Sequence, residues 1–261
     1  METKAEETIT VRETRSYARS IQQGLRASAD HASTVLAHTW PAILLSLLLP
    51  IPGLAIYAGQ VDQLMRDWQQ QGTLPRRKPL EGLKADLHSM LRAAARLLLS
   101  GVTFMTVLLC TWATWAYLPH GMWWAMGTLV VLTAIVTPVA MVCMDIACST
   151  HPLTRCMPAL MSGYRHYSSL LAYEVLLVML ILLITLPGQL PCVITTMASM
   201  QWYQAVQEGD TVLMPPMMSM AYVAAYLICT LSVLVAMTVS AFCDTLFWGS
   251  IQAREAEQKE A

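Results

Sequence analysis

The sequence predicts an all-α, polytopic integral membrane protein. It should form a bundle of four transmembrane helices, with a proline-broken apolar segment that is either re-entrant or a fifth span, and amphipathic cytoplasmic helices. Three observations predict this class. Residues 97–144 hold no charged side chain, and Pro119-His120-Gly121 divides them into two apolar runs. A helix needs about 20 apolar residues to cross a hydrocarbon core of about 30 Å, and so short a Pro/Gly link forces the two spans into an antiparallel hairpin. Only 13% of the 261 residues are charged, about half the share usual in soluble domains. The third observation is the placement of Lys and Arg, taken up below.

Residues 1–38 are a polar segment. The first eleven, rich in acids and threonine, are expected to be disordered. A helix is predicted from Arg12 to His38, with Ile21, Leu25, Ser28, Ala32, Val35 and Leu36 on one face and Arg15, Arg19, Gln22, Arg26 and Asp30 elsewhere. That spacing suits a helix lying on a membrane surface or on the protein's own core. Because the first apolar run starts only at Trp40, no secretory signal is expected.

Residues 39–59 form the proline-broken segment. Pro41 suits a first helical turn, whereas Pro50, Pro52 and Gly53 interrupt a helix interior. One reading is a single kinked span. The other, preferred, is a hairpin that turns at Pro50–Gly53 and returns to the side it came from, which requires protein to shield its broken backbone. Residues 60–96 are a basic connector. Its first helix continues to Gln71 and leaves the membrane, stopping at Gly72. A second carries Leu80, Leu83, Leu87, Met90, Leu91 and Ala94 at helical spacing and runs into the next span.

The bundle itself occupies residues 97–248, with spans near 97–118, 122–144, 170–186 and 220–242. Trp112, Trp115, Tyr117, Trp123 and Trp124 crowd the first turn, as aromatic side chains do at headgroup level. Pro187-Gly188 is expected to close the third span, and residues 249–261 to be a charged, frayed tail. Gly24-Leu25-Arg26, Gly82-Leu83-Lys84 and Gly163-Tyr164-Arg165 each precede an apolar run, a faint threefold repeat of lead-in helix plus hairpin with the first hairpin truncated.

Lys and Arg in short loops mark the cytoplasmic side. If the broken segment is re-entrant, all 16 basic residues fall on one side; if it spans, they divide 11 against 5. Both readings place the C-terminus in the cytoplasm, and the first places the N-terminus there too. A bacterial inner (cytoplasmic) membrane, crossed several times, is the expected location.

Candidate sites are few. Glu174 lies inside a span, and an intramembrane acid is a functional hypothesis by default. With Asp145 and Asp244, which also fall at cytoplasmic span ends, it could form a coupled acidic site. The competing reading is interfacial anchoring, with Glu174 meeting headgroup water, Arg165 or His166. Cys148, His151 and Cys156 share a loop but match no standard zinc spacing. Met214, Met217, Met218 and Met220 could offer soft ligands to Cu(I), though such methionines more often pack against lipid. No metal, cofactor or catalytic residue is therefore assigned, and no disulfide is expected among the seven cysteines. Basic residues are too few and too mixed with acids for nucleic acid. No phosphate loop, G-x-S-x-G elbow or H-E-x-x-H motif is present.

The sequence therefore favours a non-enzymatic accessory or scaffold subunit that binds membrane lipids, a membrane-protein partner or its own copies. A small transporter is the alternative, suggested by the broken helix and the repeat. A lipid-modifying enzyme ranks third, for want of a constellation.

Overall fold

A computed structural model of the chain describes residues 11, 13–72, 74, 87–118, 120–149, 156–208 and 216–260, and the described residues contain helices and no strands. The helices are α1 (Tyr17–Asp30), α2 (Ala32–Leu48), α3 (Pro50–Gln71), α4 (Leu87–Tyr117), α5 (Gly121–Cys148), α6 (Cys156–Arg165), α7 (Tyr167–Gln207) and α8 (Pro216–Glu260). Four of them, α4, α5, α7 and α8, are long and apolar enough to cross a membrane. Their outward faces carry exposed Leu, Val, Ile, Met and Phe side chains, as a lipid-facing surface requires. The rings of Trp112 and Tyr117 meet edge-on, 6.3 Å apart, near the α4–α5 turn.

The broken segment folds as a helical hairpin. The helix breaks at Leu49 (φ −131°, ψ 88°), and Pro50 opens α3 in the first-turn position that tolerates proline. Beyond the break α3 runs back along α2. The backbone of Ser46 sits where a Gly53 Cβ would be, and the hydroxyl of Thr39 reaches that of Tyr57. At the tip, Leu48 and Ile51 are 80% and 83% exposed, a pair of side chains suited to hydrocarbon rather than water. The chain therefore enters and leaves this segment at the same end.

α3 also corrects an expectation. Rather than lying out on a surface, it is buried along most of its length, with every residue from Tyr57 to Met65 inside, Gln60, Asp62 and Gln63 included. Tyr57 donates to Leu234 O (3.3 Å) and sits 2.6 Å from Thr238 Oγ1, tying α3 to α8. Trp68 tilts against Phe242 of α8, with ring centroids 5.4 Å apart. As expected, α3 stops at Gly72, whose left-handed conformation (φ 70°) caps the helix.

Three units share one register. Each opens on two small residues four apart, followed three positions later by a basic one: Gly24, Ser28, His31; Ser89, Ala93, Arg96; Ala159, Gly163, His166. All six small residues are buried. Each unit closes on a helix that carries an aspartate: Asp62 on α3, Asp145 on α5 and Asp244 on α8. The opening stretch of each unit packs onto the closing helix of the unit before it, and the first packs onto the last. A Cβ on Gly24 would lie 2.8 Å from Cys243 Cα in α8, and one on Gly163 would lie 3.2 Å from Met141 Cβ in α5. Met90 in α4 stands likewise against Gly59 in α3. Small residues let helices approach closely where lipid supplies no hydrophobic drive between them. This register sets Gly163 opposite Ser28 rather than Gly24, four residues from the register the Gly-x-basic triplets suggest. Gly82 lies outside the described residues.

The same packing changes the reading of α1. Its buried face is Ser20, Gly24, Ala27 and Ser28, while Leu25 is 42% exposed. Close contact with α8 selects the small face; Leu25 turns outward, while Ile21 stays half-buried against the core. The predicted single helix is two, broken at His31 (φ −103°, ψ 9°), and it starts at Tyr17, where Ser16 accepts from Arg19 N–H. Val11, in the segment expected to be disordered, is buried in the core.

Among the described residues, several arginines collect at one end. Arg66 donates to Ala147 O (3.1 Å) and Arg92 to Ser149 O (2.7 Å), capping the C-terminus of α5 with positive charge. Ser250 of α8 accepts from Arg15 N–H (2.9 Å) and donates to Arg15 O (3.0 Å), and Arg254 also donates to Arg15 O. The described N- and C-terminal segments thus lie together.

At the opposite end the helices overrun their predicted limits. Pro187 and Pro191 stay inside α7, which continues to Gln207. At about 1.5 Å per residue it is roughly twice as long as a hydrocarbon core is thick. Around and beyond the prolines α7 is tied to α8: Tyr222 donates to Thr195 O (2.9 Å) and Cys229 to Gln189 Oε1 (3.1 Å). The Cys192 thiol is hydrogen-bonded with that of Cys229, two neighbouring thiols that the sequence did not pair. The predicted tail is helical to Glu260, held where Glu255 accepts from Ser162 (2.6 Å).

Two outcomes follow from this packing. Replacing Gly24 with Ile should lower thermal stability in detergent by about 1–3 kcal/mol, the range for overpacking a tight contact. Arg26→Ala, on the exposed side of α1, should leave the melting temperature unchanged. The hairpin predicts equal access at its two ends. Single substitutions Arg26→Cys and Gln71→Cys, in a background without native cysteines, should both resist or both accept a membrane-impermeant maleimide in intact cells. Labelling of one alone would mean that residues 32–71 cross the membrane.

Candidate functional site

The three units converge on a buried polar cluster. Arg96 stands at the basic position of the second unit, directly before the uncharged stretch of α4. A guanidinium there cannot be left alone in apolar surroundings. Asp62 of α3 meets it, Oδ1 to Nη1 at 2.9 Å, with the two side chains 2% and 15% exposed. Burial pushes the Asp62 carboxyl above its ordinary range, and the charges of Arg96 and Arg66 oppose that push. Arg96 also lies within electrostatic reach of Asp244 on α8.

Asp244 is held from two sides. Tyr173 of α7 donates to Oδ1 (2.7 Å) and Ser240, one turn earlier on α8, donates to Oδ2 (3.1 Å). Tyr173 is fully buried and stacks on Phe247, centroids 4.0 Å apart and rings within 3° of parallel, so its hydroxyl is aimed by packing. Cys148 lies 3.8 Å from Thr245, behind this cluster.

In front of the cluster is a cavity of about 660 Å³ between α4, α5, α7 and α8. Arg96, Glu174, Ser240 and Asp244 form its polar floor. Its walls are mostly apolar: Phe104, Val107 and Leu108 from α4, Leu129 and Val136 from α5, and Val175 and Val178 from α7 are among them, with the hydroxyls of Thr103, Thr133 and Thr137 between. From Arg96 to Leu108 the cavity follows about 18 Å of α4 at 1.5 Å per residue, from the end where these arginines gather towards the middle of the span.

Of the three acids singled out in the sequence, the structure brings two together. Glu174 and Asp244 share the cavity floor. Asp145 sits at the equivalent place on α5 but does not line the cavity. Glu174 does not meet His166, which faces Glu255 of α8 at 3.7 Å instead. The first turns of α7 rotate the two side chains onto different faces, His166 towards α8 and Glu174 towards the cavity. Asp62 and Arg96 were not singled out. Their signal was present in the recurring small-x-x-x-small-x-x-basic pattern, which places Arg96 in register with His31 and His166.

Among the described residues, no histidine lines the cavity beside these carboxyls, and no three His, Cys, Asp or Glu side chains gather as a metal site. Cys148 is buried, while His151 lies outside the described residues, as does Met214; Met217 and Met220 are exposed.

Fold and cavity together define an all-helical membrane protein with a polar-floored pocket inside its bundle. The chain matches no known family model, no curated protein and no solved structure.

The ion pair can be tested directly. Arg96→Met breaks the buried ion pair and leaves Asp62 only the charge of Arg66, which should cost about 3–5 kcal/mol, read as a lower melting temperature in detergent. Adding Asp62→Asn to that variant should restore part of the loss. A double variant less stable than Arg96→Met would show that the two residues act independently.

Proposed function

We propose that this chain is a non-enzymatic membrane protein that holds a lipid-like amphiphile of the cytoplasmic leaflet, in an accessory or scaffold role. The observation that carries this reading is the shape of the cavity: apolar walls along the span and a polar floor at the basic end. An amphiphile seated there keeps its tail at the depth of the neighbouring lipid chains and its head near the headgroup layer. The basic end is assigned to the cytoplasm because Lys and Arg concentrate on that side of membrane proteins, which places both termini there. A bacterial inner membrane is the setting that fits this orientation. A second reading, a small transporter, is favoured by the α2–α3 hairpin and by the buried polar residues of α3.

Purification in mild detergent, followed by lipid extraction and native mass spectrometry, tests the first reading. Wild-type chain should carry a bound amphiphile close to one per molecule. Ala140→Trp, which fills the cavity from α5, should lower that occupancy roughly tenfold, equivalent to about 1.4 kcal/mol. Val130→Trp, on the outward face of the same helix, should leave it unchanged. Equal occupancy in all three proteins would overturn the amphiphile reading. Solute movement by the purified chain in liposomes would favour the transporter.

A further inference from the structure

The charge of the cavity floor says which amphiphile fits, an inference that rests on the amphiphile reading above. Three ionisable side chains other than cysteine line the cavity: Arg96, Glu174 and Asp244. The one cation is already committed, since Arg96 is paired with Asp62 at 2.9 Å on the side away from the cavity. The two acids are not balanced in the same way. Asp244 receives hydrogen bonds from the neutral hydroxyls of Tyr173 and Ser240. Glu174 makes no hydrogen bond or ion pair among the described residues, and the charge that acts on it is that of Asp244, of like sign.

Two carboxyl groups face one low-dielectric space and act on each other with like sign; Arg96, already paired with Asp62, acts on Asp244, and among the described residues no cation balances Glu174. A positive group between them would relieve both. We propose that the cavity takes a cationic amphiphile, with an ammonium head held between Glu174 and Asp244 and an apolar tail along Phe104, Leu108 and Val178. An anionic head would meet both acids. A zwitterionic phospholipid head would bring a phosphate to a floor whose guanidinium is occupied by Asp62. A neutral alcohol would fit the walls but leave the acids unpaired.

The test uses the full chain in a nonionic detergent and labelled dodecylamine, with binding followed by scintillation proximity. Its amine, close in chemistry to a lysine side chain, is protonated at pH 7. Unlabelled dodecylamine should displace the label at least roughly tenfold better than dodecanol, dodecanoate or a single-chain phosphoethanolamine lipid, a difference of about 1.4 kcal/mol or more. Glu174→Gln should lose most of that preference and Glu174→Asp should keep it, while Val130→Trp should behave as wild type. Displacement by the alcohol, the carboxylate or the zwitterion as good as by the amine, still abolished by Ala140→Trp, would overturn the cationic assignment and leave the amphiphile site standing. Saturable binding of none of the four probes would remove both. Retention of the full amine preference in a folded Glu174→Gln protein would also refute the proposed role of this residue.

Discussion

The ion pair between Asp62 and Arg96 constrains the whole arrangement. Arg96 stands at the entry to a stretch, through α4 and most of α5, whose next 48 residues carry no charge, and a guanidinium in that position needs an acid close by. The acid comes from α3. To deliver it, the chain must turn back at Leu49 and carry Asp62 into the bundle, so the hairpin and the ion pair depend on each other. Once α3 is inside, its polar residues face protein rather than lipid. Its neighbours α4 and α8 are then held at the distance set by Gly59, Met90, Tyr57 and Thr238.

That geometry produces the cavity. Arg96 reaches Asp244 on one side while Asp62 neutralises it on the other, and Tyr173 and Ser240 orient the Asp244 carboxyl. The space in front is left to the apolar walls of four helices. A pocket with its charged residues at one end and its apolar length along the membrane has the polarity of a lipid leaflet. On the proposed reading, the floor, where Glu174 and Asp244 face a guanidinium already paired with Asp62, gives the pocket its preference for a cationic head.

The repeat explains how one chain builds such a site without a dedicated domain. Each unit contributes a small-residue contact, a basic side chain and an aspartate, and the opening of each rests on the closing helix of another. The equivalent positions have diverged in use. His31 stacks on Phe242, with ring centroids 6.4 Å apart, Arg96 pairs with Asp62, and His166 faces Glu255. Asp62 and Asp244 serve the cluster and Asp145 stands apart from the cavity. Equivalent sequence positions thus give one charged floor rather than three, because only the second unit places an arginine at the basic position.

Much of the architecture was legible in the sequence because it rests on one-dimensional signals. Apolar runs of membrane length specify the four long helices, the Pro119–Gly121 link specifies their first turn, and the basic residues specify a common end. Local chemistry also told of the hairpin, since Pro50, Pro52 and Gly53 cannot continue a helix undisturbed. What depends on approach between distant segments was not legible. Periodicity put Ile21, Leu25 and Ser28 on one buried face of α1; Ile21 and Ser28 do pack inward, but close packing against α8 buries Gly24 and leaves Leu25 exposed. The prolines of α7 looked like a stop, yet the helix continues past them, tied to α8. Glu174 could be recognised as an unusual acid in an apolar run, and Asp244 as another at a span end. That they share one cavity, and that Asp145 does not, is decided by helix rotation and by which faces meet. Those quantities depend on side chains tens to hundreds of residues apart, and no local pattern contains them.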